Sequence, residues 1–224
     1  MLTREEIIAK EFDRLASTYE SNRLAPWYQA QGEEILKVSD FSGPVVALDI
    51  GCGTGWLLRQ IVKRNPEAFG IGLDLSGEMI RVANDESRDP KSKNLQFIQA
   101  DWENMETDTT KTISRKQVTH VILASSIHYF SDPLSAVTRI FNLLEPGGRF
   151  IVIDRAKDKS ILTALWDIAH HTLINDNVKF YRSEEFRQLF CDAGFAEARI
   201  EKRIRKLFWK NKLNTSLVLL SAEK

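Results

Sequence analysis

This sequence of 224 residues has only two cysteines, no net charge and no long apolar run. Only Cys52 and Cys191 occur, far apart along the chain, which argues against a disulfide framework or a cysteine-based metal site. The 31 basic and 31 acidic residues cancel, so no overall field attracts nucleic acid or an anionic membrane. No apolar run has membrane-spanning length, and the first residues lack the apolar core of a signal peptide. We therefore expect a cytoplasmic protein with neither nucleic acid nor membrane as partner.

The length and the 43% of hydrophobic residues suit a single α/β domain, 1–224, with a full core. Apolar runs typical of buried strands alternate with helical patterns along the middle of the chain. The five predicted strands are 45–50, 69–74, 95–101, 118–124 and 150–154. The polar segment 102–116, before the fourth strand, is expected to be loop with at most one short helix. This alternation predicts a parallel, doubly wound sheet.

The segments on either side of this series have their own patterns. Thr3 and Glu6 predict a capping box, with an amphipathic helix running to about Tyr19, and Pro26 opens a second helix that reaches about Val38. This leader, 1–40, either pads the sheet or closes over a ligand. After the fifth strand we expect a helix over 159–175 and another capped by Ser183. Two β-rich runs, 195–203 and 213–221, are joined by a turn too short for a crossover helix, which predicts an antiparallel pair.

The most informative stretch is where the first strand runs into a glycine-rich turn and then a helix. Gly51, Gly53 and Gly55 permit positive φ and close approach of a ligand, and the helix start presents unpaired N–H groups. A dinucleotide-binding fingerprint would have its third glycine one position later, where Trp56 stands. Asp49 would repel a pyrophosphate. The loop therefore favours a nucleotide-type ligand with an amino group and no pyrophosphate.

The pattern Asp-x-Gly-x-Gly-x-Gly resembles motif I of the class I S-adenosylmethionine-dependent methyltransferases. The string Phe12-Asp-Arg-Leu-Ala-Ser-Thr-Tyr-Glu20 is similar to a leader common in small-molecule methyltransferases, which favours the lid. Over nearly the whole chain the resemblance implies a Rossmann-like, mostly parallel seven-stranded sheet with an antiparallel C-terminal strand and an N-terminal helical lid. It also implies a cofactor-binding core at 41–155, acceptor-pocket helices at 156–194, a C-terminal hairpin at 195–224, and S-adenosyl-L-methionine as the cofactor.

Two carboxylates at predicted strand ends are candidate cofactor ligands. Asp74 can accept both ribose hydroxyls; its alternative role as a helix cap is already filled by Ser76. By the resemblance, Asp101 reads the adenine with Trp102 packed beside it, while the alternative is an N-cap. Met79 either flanks the adenine or belongs to the core.

Three histidines and a basic turn leave alternatives open. The segment Ala124-Ser-Ser-Ile-His-Tyr-Phe-Ser-Asp-Pro133 resembles the strand-end loop of many methyltransferases, where His128 is either a general base or a brace for the loop. The neighbours His170 and His171 point about 100° apart on a helix, so they cannot chelate one metal together. One could face the acceptor pocket, although a solvated helix face fits as well. The basic turn 202–212 mixes cations with aromatics, but a solvated hairpin is favoured over RNA binding.

The resulting hypothesis is methyl transfer to a small-molecule acceptor by in-line attack. Catalytic help is expected from His128 and Tyr19, and no metal site is expected. A catalytic RNA or protein methyltransferase, a non-catalytic S-adenosylmethionine-binding regulator and an NAD-dependent dehydrogenase remain as alternatives. The acceptor, the atom methylated and the oligomeric state stay open. The expected cofactor contacts are Tyr19, Arg23, Asp49, Gly51, Cys52, Gly53, Gly55, Asp74, Leu75, Met79, Asp101, Trp102, Ala124 and Ser125.

Overall fold

A computed structural model describes residues 2–23, 25–105, 107–157, 181–204 and 217–224. Its described helices are α1 Arg4–Leu15, α2 Ala25–Val38, α3 Trp56–Arg64, α4 Gly77–Asp85, α5 Thr107–Ser114, α6 Pro133–Leu143 and α7 Ser183–Asp192. Its strands are β1 Val46–Ile50, β2 Phe69–Asp74, β3 Leu95–Gln99, β4 His120–Ala124, β5 Arg149–Arg155, β6 Ala198–Ile204 and β7 Leu217–Glu223. None of these helices is both long and apolar enough to cross a membrane.

The seven strands form one sheet in the order β3-β2-β1-β4-β5-β7-β6. Strands β1 to β5 are parallel, and β7 runs antiparallel to both of its neighbours, β5 and β6. The predicted sheet with its antiparallel C-terminal strand is thus confirmed. The direction in which successive strands are added reverses between β1 and β4. In open α/β sheets this switch point is where ligands bind, outside the carboxyl ends of the strands.

Both faces of the central strands are buried, as expected for parallel strands. Along β1, Leu48 belongs to an apolar cluster on one face and Ala47 to a cluster on the other. Helix α3 contributes Leu58 and Ile61 to the second cluster, whereas α6 and α7 pack on the first. The strands are therefore held rigidly between helices, which fixes the positions of the residues at their ends.

The leader is helical, with bounds close to those predicted. Thr3 and Glu6 form the expected capping box, with bonds of 3.0 and 3.2 Å between each side chain and the other's backbone N–H. Helix α1 ends at Leu15 and is followed by a 3-10 turn, Ala16–Thr18, so it stops short of Tyr19.

One sequence prediction about the helices needs correction, and two others fall outside the described residues. Ser183 is the first residue of α7 rather than its cap, because Arg182 holds the N-cap position and its N–H donates to Glu185 at 2.7 Å. The predicted helix 159–175, which includes His170 and His171, and the turn 205–212 lie outside the described residues.

Candidate functional site

The carboxyl ends of β1 to β4 and the leader enclose two cavities. The α2 cavity lies between α2 and the glycine loop, and the α1 cavity lies between α1 and the ends of β2 and β3. Their volumes are about 70 and 100 Å³. Four residues line both cavities: Tyr19, Gly51, Gly53 and Ala124.

The glycine loop lets the start of α3 pack closely against the sheet. A Cβ on Gly55 would lie 2.5 Å from the ring of Phe97, and Gly55 has a φ of +77°. The close packing between helix and strand therefore falls on this glycine, while the ring of Trp56 turns away toward Gly32 of α2. Gly55 itself lines neither cavity. Gly53 does line both.

Asp49 lies beneath this loop at the end of β1. Its side chain is 2% exposed and lines the α2 cavity, and its Oδ1 atom has no hydrogen-bond partner. Burial, reinforced by the nearby Asp74 carboxylate, raises the pKa of Asp49 to about 7. A buried carboxylate oxygen without a donor is costly unless a cation or a proton meets it. The site thus fits a ligand that brings an ammonium group.

Asp74, at the end of β2, both ties the loop together and lines the α1 cavity. Its carboxylate accepts hydrogen bonds from the backbone N–H groups of Gly53, at 2.8 Å, and Ser76, at 2.9 Å. Burial raises the pKa of Asp74 to about 6, although these two donors oppose the shift. Ser76 caps α4 by accepting from the N–H of Met79, as the sequence predicted.

Asp101 and Trp102 follow the end of β3, and Asp101 does not take the alternative role of a helix N-cap. Asp101 lines the α1 cavity and accepts bonds from the N–H of Glu103 and the amide of Asn104 at 2.9 and 2.7 Å. It forms a local turn and caps no helix, because the next helix starts only at Thr107. The ring of Trp102 is buried and lines the same cavity, and its indole N–H donates to the carbonyl of Ala136 in α6. Met79 is fully buried and also lines the α1 cavity, so both of its proposed roles are compatible.

Tyr19 separates the two cavities. Its ring stacks on Tyr28 of α2 with centroids 4.6 Å apart, and it approaches to 3.5 Å from where a Cβ on Gly53 would lie. Burial raises the pKa of the Tyr19 hydroxyl well above its usual range, so it stays protonated and able to donate. Arg23 is exposed and lines neither cavity.

Polar contacts bind the leader to the loops that follow β1 and β2. Asp13 of α1 accepts from the hydroxyl of Ser76 at 2.5 Å, at the start of α4. Glu20 accepts from the hydroxyl of Thr54 at 2.6 Å and forms a salt bridge with Arg59 of α3. The leader is therefore fastened to the glycine loop itself.

A third contact joins α2 to the loop after β4. The amide oxygen of the buried Gln31 accepts from the hydroxyl of Ser125 at 2.6 Å. Ser125 has a φ of +56°, which is strained for a residue with a side chain. The next residue, Ser126, donates its hydroxyl to the carbonyl of Ile50 at 2.9 Å. The two serines hold the loop after β4 against β1 and α2.

His128 lies in the 3-10 turn after β4 and is buried. Its Nδ1 atom is 2.8 and 2.9 Å from the two carboxylate oxygens of Asp154, at the end of β5. Because an ionised carboxylate only accepts, Nδ1 carries a hydrogen and the lone pair of a neutral ring lies on Nε2. His128 lines neither of the two cavities.

A family model described as a methyltransferase domain matches residues 42–215. The chain belongs to the class I S-adenosylmethionine-dependent methyltransferases. S-adenosylmethionine is thus its cofactor, as the sequence predicted.

Two curated methyltransferases are similar to this chain in sequence. A malonyl-[acyl-carrier protein] O-methyltransferase from Halalkalibacterium halodurans is 39% identical over 108 residues, 47% of this chain and 37% of the relative. A demethylmenaquinone methyltransferase from Lactococcus lactis is 25% identical over 155 residues, 67% of this chain and 59% of the relative. The chain spans less than two thirds of the length of these curated relatives.

Among solved structures, a phosphoethanolamine N-methyltransferase 2 from Haemonchus contortus, in complex with phosphomonomethylethanolamine and S-adenosylhomocysteine, has a TM-score of 0.77. It is 15% identical and the match covers 100% of this chain and 60% of that one, which shows a shared methyltransferase fold.

The residues of this methyltransferase fit the cofactor. The partnerless oxygen of Asp49 suits its ammonium group, and Gly53 of the glycine loop lines both cavities. Most of the predicted contacts line the two cavities, with Arg23 and Gly55 as the exceptions. Sequence reasoning missed Tyr28 and Gln31, which also line the α2 cavity. Their helical spacing of three residues on α2 is the signal that could have found them.

Proposed function

We propose that the protein transfers a methyl group from S-adenosylmethionine to a small-molecule acceptor. The observation that carries this is the buried, partnerless oxygen of Asp49 under the glycine loop, in a chain of this family. The leader covers the site with aromatic side chains, including Tyr19 and Tyr28. An enclosed, aromatic cleft favours a small organic acceptor over an extended polymer.

In this proposal an aspartate at the end of each of the first three strands contacts a different group of the cofactor. When bound, the cofactor supplies an electrophilic methyl group on a sulfonium. Asp49 accepts from its ammonium group, Asp74 from the ribose and Asp101 from the adenine amine. The protein's remaining contribution is to orient the acceptor and exclude water. The acceptor's chemistry is supported only in class: relatives named for malonyl-[acyl-carrier protein] and demethylmenaquinone point to organic metabolites, free or attached to a carrier.

The leader acts as a lid in this proposal. Each cavity is smaller than the roughly 300 Å³ at the lower end of typical ligand pockets. Tyr19 lies between them, so admitting a nucleoside requires this residue and its neighbours to shift. The bonds from Asp13, Glu20 and Gln31 fasten the leader in its covering position.

Hydrogen exchange tests the lid. We expect exchange over 18–28 to slow when S-adenosylhomocysteine is added, because the segment orders over it. Glu20→Gln, which weakens the link to Arg59, should speed exchange there in the ligand-free protein. Glu34→Gln, at an ion pair with Lys202 away from the glycine loop, is the matched control and should not. Full protection without ligand, unchanged by either, would make the leader part of the core.

General-base help from His128 is proposed for acceptors that must lose a proton. The support is its pairing with Asp154, since a buried carboxylate holds an imidazole in one tautomer and one orientation. Proton removal by a positioned base contributes roughly 10²–10⁴-fold to a rate.

The reaction is tested by transfer of a tritiated methyl group from the cofactor to a metabolite library. Carrier-bound acyl groups, RNA and protein fractions serve as parallel acceptors, and Asp49→Asn is the control for dependence on the site. We expect label in a small molecule with the parent protein and much less with the variant. Label only in RNA or in a protein fraction would overturn the small-molecule assignment. Tight binding of the cofactor without transfer to any acceptor would favour a regulatory binding protein.

A further inference from the structure

Arg4 lies in the first turn of α1 and lines the α1 cavity. The Nε and Nη2 atoms of its guanidinium group are covered from solvent, yet neither has a hydrogen-bond partner in the protein. Covering charged donors without acceptors is unfavourable, and such groups in folded proteins are met by a ligand or by water. Arg4 is therefore placed for something that enters this cavity.

Four acidic residues line the cavity, Glu5, Asp74, Asp101 and Glu103, and none of them bonds to the Nε or Nη2 atom of Arg4. Other donors already engage the last three. Asp74 accepts from the loop backbone and Asp101 from its own turn. The two oxygens of Glu103 accept from Ser131 and from the N–H of Asp132. Arg4 thus shares the cavity with three carboxylates whose hydrogen bonds brace the loops around it.

The chemistry of the cavity narrows what Arg4 would meet. Among the described residues that line it, Arg4 is the only one with a cationic side chain. Ile8, Phe12 and Met79 give it apolar walls. A purine in such a space offers ring nitrogens that accept hydrogen bonds and a π face that attracts a guanidinium. Ionised carboxylates can serve the exocyclic amine and the ribose hydroxyls but cannot donate to ring nitrogens.

We propose that Arg4 binds the adenosine half of the cofactor from the leader side, by donating to or stacking on the purine. This rests on the proposed function, since it takes S-adenosylmethionine as the ligand of the cleft. The contact ties the first turn of α1 to the ends of β2 and β3 through the ligand, while Asp13 fastens α1 directly to α4. Binding of adenosine and docking of the leader are therefore coupled through one side chain.

Calorimetry with two ligands tests this. S-adenosylhomocysteine carries both halves of the cofactor, whereas 5′-methylthioadenosine carries the adenosine without the amino acid. Arg4→Ala should weaken both ligands by the same factor, roughly 10- to 100-fold, because it removes hydrogen bonds from a charged donor. Arg4→Lys should fall between, since it keeps the charge and loses the planar fork. Arg14→Ala, on the exposed side of the same helix, is the matched control and should change neither affinity.

Asp49→Asn supplies the opposite pattern. It should weaken S-adenosylhomocysteine and leave 5′-methylthioadenosine unchanged, because Asp49 faces the α2 cavity. Unchanged binding of both ligands by Arg4→Ala, in a protein with the parent's circular dichroism, overturns the role of Arg4. A loss confined to S-adenosylhomocysteine overturns it too, since the contact would then be with the amino-acid half. Failure of the parent protein to bind either ligand would instead reject the proposed function.

Discussion

Two aspartates at strand ends in the same sheet are equally buried and yet opposite in character. Asp49, at the end of β1, is 2% exposed and has an oxygen with no partner. Asp154, near the end of β5, is 0% exposed. Both of its carboxylate oxygens accept from Nδ1 of His128, and one of them also accepts from the backbone N–H of Arg155. The protein thus satisfies one buried carboxylate from its own chain and leaves an oxygen of the other unmet, which is the oxygen that the proposed function assigns to the cofactor's ammonium group.

This difference shows which of two buried carboxylates can contribute to the free energy of ligand binding. A paired buried carboxylate stabilises its loop with or without ligand, whereas a partnerless one makes the ligand-free state less stable. Only the second arrangement gives a ligand's cation a favourable place to go. Burial alone therefore does not separate a structural aspartate from a binding one. The hydrogen-bond partners do.

The largest expected effect comes from removing the proton acceptor that pairs with Asp154, which is His128 in the turn after β4. His128→Asn keeps an N–H donor for Asp154 but loses the imidazole, so turnover should fall by roughly 10²–10⁴-fold if His128 is the general base. Cofactor affinity should stay near that of the parent, which calorimetry checks. A fall of only a few-fold in the methyl-transfer assay would leave Asp154 and His128 as a purely structural pair.

The next effect is on the free energy of unfolding, which should change in opposite directions for the two carboxylates. His128→Ala leaves Asp154 buried without its main partner and should lower the free energy of unfolding by about 3–5 kcal/mol. Asp49→Asn removes a charge that has no partner, so it should raise the stability of the ligand-free protein near pH 8. Urea unfolding of both variants measures this. Equal destabilisation by the two would mean that Asp49 has a partner in solution.

The smallest effect is on pH dependence. Because the folded pKa of Asp49, about 7, exceeds its usual unfolded value, its contribution to stability is present in acid and is lost as pH rises through 7. A cofactor ammonium favours the ionised form, so affinity for S-adenosylhomocysteine should rise about tenfold between about pH 6 and pH 8. Asp74, whose pKa is about 6, adds a shallower slope below that.

Calorimetry across this pH range, with Asp49→Asn beside the parent, separates the two carboxylates. The variant should lose the upper part of the slope and keep the lower part. A pH profile that is the same in both proteins would show that Asp49 does not titrate on binding.

The sequence predicted the sheet, the glycine loop and the place of Asp74 at the end of β2 because these depend on local patterns. Strand periodicity and turn residues act over a few positions, and Trp56 correctly indicated that the usual packing glycine lay elsewhere. Contacts such as Gln31 with Ser125 join residues far apart in sequence and depend on how the leader docks. The missing partner of Asp49 and the orientation of Trp102 likewise follow from the assembled loops, so no local pattern could predict them.

The place of β7 in the sheet has a consequence for synthesis on the ribosome. β7 lies between β5 and β6, although it follows both in the chain. The edge of β5 must therefore wait, unpaired, until β7 has been made, on the order of seconds at roughly 5–20 residues per second. During that interval β6 has no strand to pair with and β5 presents an open edge, the kind of surface that chaperones protect and neighbouring nascent chains can invade.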